Sequence, residues 1–146
     1  MLAGGSLSIM SRTASADAFA SGGTKLMSSA QISEFPGSAT FGKPIGTFIA
    51  PTAEVNSLLS QGIGRAEIAT RLGITDPAFL EGTLIRIDVN PSTLKSLNLR
   101  APTGTEVGAN SMFVPVGKTV GGVTEGVVNG IPTSGAGVST STIPKL

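Results

Sequence analysis

The chain has 146 residues, a formal charge of +1, 13% charged side chains and 40% hydrophobic ones. That length bounds one domain, alone or behind a loose leader, and the weak charge excludes a broad cationic footprint for duplex nucleic acid. His, Cys, Trp and Tyr are all missing, which removes imidazole acid–base catalysis, Cys–His and Ser–His–Asp nucleophiles, disulfides and zinc held by thiolate or imidazole.

Residues 1–40 are rich in Ser, Gly, Ala and Thr. They read as a flexible leader or linker with a short helix near Thr24–Ile32. Ala14–Ala16 and Ala18–Ala20 have the spacing of a cleavage site, but no basic or continuous apolar region precedes them. A secretory signal is therefore not expected. No apolar run approaches the roughly 20 residues of a membrane span, so no membrane partner is expected and a cytosolic working site is.

Order is expected from Phe41, giving a domain over residues 41–146. Thr47–Ala50 reads as a short strand closed by Pro51. Thr52 is a candidate cap, Glu54 suits the first turn, and Val55, Leu58 and Leu59 recur at helical spacing up to the stop at Gly62. A second helix is expected over Arg65–Leu72, buried through Ile68, Ala69 and Leu72 and ended by Gly73. Thr75 or Asp76 then caps a short turn with Pro77 early and Phe79 and Leu80 inward.

In the strand Thr83–Val89, Ile85, Ile87 and Val89 share one face and Leu84, Arg86 and Asp88 the other. Asn90–Thr93 reads as a turn, with strands at Leu94–Leu99, Ser111–Val116 and Val123–Val128. The last eighteen residues offer at most one edge strand. Helices first and a mostly antiparallel sheet afterwards make the expected class α+β.

The candidate chemistry lies in Arg86 and Asp88 and in the stretch Leu97–Pro132. Arg86 and Asp88 stand about 7 Å apart on one strand face, either as an ordinary ion pair or as a cation presented to phosphate. Lys118 and Thr119 follow Gly117 in a turn that lacks the glycine spacing and helix of a P-loop; they suit a phosphate, or simply a hairpin. Glu125 stands between valines, which calls for a partner if buried, or marks a charged edge strand. Arg100 suits bidentate anion binding. Glu106 and Asn110 flank Gly108, where Asn110 also suits a turn.

RAEIATRLGIT, over residues 65–75, resembles the opening of a helix-turn-helix, but DPAFLEGTL after it offers no base-reading side chains. An αα-hairpin is the better reading.

The layout of GTFIAPTAEV, LGI, LIRIDV and GANSMFVPVGKTVGGVTEGVV behind a Ser/Gly leader resembles the C-terminal toxin domains of bacterial polymorphic toxins of the contact-dependent inhibition and Rhs kind. This implies delivery from a secreted or surface-borne toxin, action in the target-cell cytoplasm, and a cognate immunity protein. One such group has the barnase–EndoU–colicin–RelE ribonuclease fold. On that reading the substrate is RNA, with tRNA the expected one, and neither metal nor cofactor is needed. Arg86 and Lys118 stabilise the phosphorane, Thr119 bonds its oxygens, Glu125 or Asp88 acts as base, and Arg100, Glu106 and Asn110 bind substrate. The other group consumes NAD by ADP-ribosyl transfer or hydrolysis, using a strand Arg and a late Glu or Gln; GKPIGTFIAP is similar to its opening strand. A non-catalytic interaction domain is the third alternative.

Overall fold

The computed structural model describes residues 17–102, 113–114, 118–119 and 121–144. The class is α+β. Its main sheet has five strands: β1 (Gly23–Ser28), β3 (Thr47–Pro51), β4 (Leu84–Val89), β7 (Gly126–Val128) and β9 (Val138–Ile143), in the order β7-β3-β1-β4-β9. Every neighbouring pair is antiparallel. Two small ladders stand apart, β2 (Thr40–Phe41) with β8 (Ile131–Pro132) and β5 (Phe113–Val114) with β6 (Lys118–Thr119). The described helices are α1 (Ser29–Ser33), α2 (Thr52–Leu59), α3 (Arg65–Leu72) and α4 (Pro91–Ser96), with a 3₁₀ turn at Pro77–Leu80.

The central strand comes from a segment expected to be leader. Gly23–Ser28 pairs residue by residue with β4, from Gly23 opposite Val89 to Ser28 opposite Leu84. The helix expected near Thr24–Ile32 begins only at Ser29. Ser28 sets that boundary as a capping box: its hydroxyl accepts from the Gln31 N–H at 3.1 Å, and its own N–H donates to Gln31 Oε1 at 3.0 Å. Two orphan donors of the helix end are satisfied at once.

The period-2 reading of β4 places a core on each face of the sheet. Leu84 joins Leu26, Val55, Leu58, Ile68 and Phe79 under α2 and α3. Ile87 and Val89 join Phe19, Ile49, Leu94, Val128 and Ile131 on the opposite side. Helix α3 covers the residues expected of it, burying Ile68 and Ala69. Gly73 ends it at φ +72°, a left-handed conformation that a side chain resists.

The structure departs from the sequence reading at other places. Leu94–Leu99 is not a strand: Asn90 accepts from the Thr93 N–H at 2.8 Å, Pro91 opens the helix, and α4 runs to Ser96. Leu80 is half exposed while Phe79 is fully buried, because one 3₁₀ turn points only one of the two inward. Pro51 takes the cap position of α2, and Thr52 is already helical. The edge strand β9 pairs along its whole length with β4.

Candidate functional site

β1 and β3 are partners only at Gly23–Pro51 and Thr24–Ala50. From there the remaining residues of β3 pair with β7, from Thr47 opposite Val128 to Ile49 opposite Gly126. The two strands part like a fork, and a cavity of about 690 Å³ lies in the gap. This is within the roughly 300–1,000 Å³ of small-molecule sites. Its wall is largely apolar, with Met27, Ile32, Phe35, Phe41 and Ile74 among the residues that form it.

Lys25 lines this cavity from β1 and Glu125 from the segment just before β7, and Lys43 and Asp76 also line it. Lys25 sits on β1 opposite Ile87, and its Nζ donates to the Phe48 carbonyl at 3.2 Å. The ammonium thus takes the place of a ladder donor where the fork has opened. Burial lowers its pKa from 10.5 to about 8, and the negative charge of Glu125 opposes that shift only in part. At neutral pH it remains mostly a cation, but a poorly solvated one.

Glu125 immediately precedes β7, on a segment tied down at several points. The buried Thr119 hydroxyl donates to the Arg71 carbonyl at the end of α3 and accepts from the Val123 N–H at 3.2 Å. A Cβ on Gly121 would meet the Arg71 backbone at 2.5 Å, so only glycine passes there. The Thr124 N–H donates to Glu54 Oε1 at 2.8 Å, pinning the residue before Glu125 to the first turn of α2. The carboxylate is therefore carried into the cavity on a braced backbone.

The residues expected to form one site divide into separate groups. Arg86 and Asp88 share a face, as their spacing implied, and form an ion pair at 2.9 Å. Thr24 Oγ1 donates to Asp88 at 2.6 Å, and a Thr24–Thr52 hydroxyl contact of 2.9 Å continues the network. Arg86, Asp88 and Thr52 border a second, smaller cleft with Asn90 and Ser139, while Thr24 lines the first cavity. β4 and β7 are separated in the sheet by both β1 and β3. Arg86 and Glu125 accordingly line different cavities.

The Thr119 hydroxyl is committed to backbone groups. Arg100 donates to the carbonyls of Asn98 and Ile45 at 2.8 and 3.0 Å and pairs with the edge of β7 at Val127, so it braces a loop crossing. Lys118 lies on β6 opposite Val114; its side chain, like Glu106 and Asn110, lies outside the described residues.

The sequence reading missed Lys25, because it assigned residues 1–40 to a leader. The signal was present in Ser28 and Gln31, whose spacing announces a helix start and makes TKLM before it a strand. Among the described residues, no group of three or more acidic, His or Cys side chains is placed to hold a metal. Nor, among the described residues, is any helix long and apolar enough to cross a membrane. No protein-family model and no curated protein matches the chain.

Proposed function

We propose that this domain consumes NAD, cleaving the bond between nicotinamide and ribose in the cavity between β1 and β3. One observation carries the reading: a cation on the first described strand and a late carboxylate, 100 positions apart in sequence, face the same small-molecule-sized cavity. It is similar to the strand-cation and late-acid arrangement that the NAD-consuming group uses, with Lys25 in place of that group's Arg. The ribonuclease reading asks Arg86 and Glu125 to meet, whereas Arg86 is engaged by Asp88 at the other cleft. The toxin setting and an immunity partner rest on layout alone.

Lys25 supplies charge for the diphosphate, whose approach favours its protonated form. Glu125 accepts a hydrogen bond from a ribose hydroxyl and stabilises the positive charge that develops as the C1′–N bond breaks. Nicotinamide leaves with the bonding electrons. Water, or the hydroxyl of an acceptor, adds at C1′ and releases its proton.

Purified protein incubated separately with NAD and with total tRNA tests the reading. Nicotinamide release with intact RNA is the expected outcome. RNA cleavage with NAD untouched would overturn it in favour of the ribonuclease reading, and inertness toward both would favour an interaction domain.

A further inference from the structure

We propose that the Lys25 amine is a carbonyl-capturing site, where small apolar aldehydes entering the cavity condense with Nζ to form an imine. This does not depend on dinucleotide chemistry. An imine-forming lysine needs an amine that can lose its proton, room for the carbonyl compound, and a group to move protons between nitrogen and oxygen. The fork between β1 and β3 brings these together. Nζ is held by a neutral acceptor, the Phe48 carbonyl, on the wall of the 690 Å³ cavity. Apolar side chains at Met27, Phe35 and Phe41 suit the body of the aldehyde rather than its hydration. Glu125 lines the same cavity, close enough for its charge to act on Lys25.

The neutral Nζ adds through its lone pair to the carbonyl carbon, giving a carbinolamine. Both nitrogen protons pass in turn to the former carbonyl oxygen, relayed by water and the Glu125 carboxylate across the cavity: the first makes the hydroxyl and the second the leaving water. The C–O bond then breaks, water leaves, and the C=N bond remains. Amine and aldehyde thus become imine and water, with no oxidant or reductant. The lowered basicity of Lys25, half deprotonated near pH 8, supports the first step.

The test treats folded protein with benzaldehyde and sodium cyanoborohydride and locates the benzyl groups by peptide mass mapping. Lys95, exposed and away from the cavity, serves as the internal reference, and Lys43, exposed at the cavity rim, reports entry without burial. At pH 7.5 Lys25 is expected to be modified about tenfold or more faster than either, because far more of its amine is neutral. Its rate should level off above about pH 8. Lys25→Arg removes that label and leaves the others, Glu125→Gln slows labelling of Lys25 alone at pH 9, where its amine is neutral with or without the carboxylate, and unfolding in urea abolishes the preference. Modification of Lys25 no faster than Lys43 and Lys95 in the folded chain overturns the proposal, as does a preference that survives urea.

Discussion

Two ionic clusters lie on this sheet, and they answer their charges differently. At the β4 cleft, Arg86 grips Asp88 through Nε and Nη2, each at 2.9 Å, and Thr24 adds a hydrogen bond from a residue only 1% exposed. Each charge is met by a group from the same face, which is how structural ion pairs are built. At the fork, Lys25 is held by a carbonyl and is poorly solvated, and the charge of Glu125 offsets that cost only in part. The first cluster is nearly complete within the chain, while the Lys25 ammonium stands on the wall of a cavity that a ligand can fill. A charge marks a binding site where its surroundings leave it under-compensated, not where charged residues are densest in sequence.

The comparison is broken most directly at Glu125. Glu125→Gln keeps shape and hydrogen-bonding capacity but removes the negative charge, and NAD turnover should fall by about 10²–10³. The urea midpoint should stay near that of the native chain. Turnover within a few fold of native would detach the carboxylate from the chemistry.

Asp88→Ala should show the reverse pattern. It strips a carboxylate from Arg86 and from the buried Thr24 hydroxyl, costing about 2 kcal/mol in a urea melt. NAD turnover by the folded fraction should change less than about twofold, since that cleft carries no step of the reaction. A loss of turnover far exceeding the loss of stability would join the two clusters into one site.

Much of the scaffold was legible in the sequence. Helix α3 matches its expected bounds because Ile68, Ala69 and Leu72 mark one face and Gly73 marks the end. The faces of β4 follow from strict alternation. What was missed shares a cause: local polar side chains decided the structure where composition suggested disorder or strand. Ser28 with Gln31, and Asn90 with Pro91, start helices through side-chain caps, and each moves a neighbouring segment to another state. The site was less legible still. Lys25 and Glu125 are joined only by the splaying of β1 from β3, and no local spacing encodes that event.

The smallest expected effect concerns stability at Lys25, and its sign separates the clusters again. In the folded chain the ammonium loses its proton near pH 8; the unfolded chain keeps it to about the ordinary value of 10.5. Between those limits the unfolded chain binds more protons, so this residue makes stability rise with pH, and its penalty is full below about 8. Because the chain contains neither Tyr nor Cys, few other side chains titrate in that window. Lys25→Met removes the penalty at the loss of one hydrogen bond to Phe48, for a net gain of about 1 kcal/mol at pH 7. Urea melts at pH 7 and pH 10 should show that gain shrinking as pH rises, while NAD turnover drops. A Lys25→Met chain less stable than native at pH 7, and by the same amount at pH 10, would make Lys25 a fully compensated residue like Arg86.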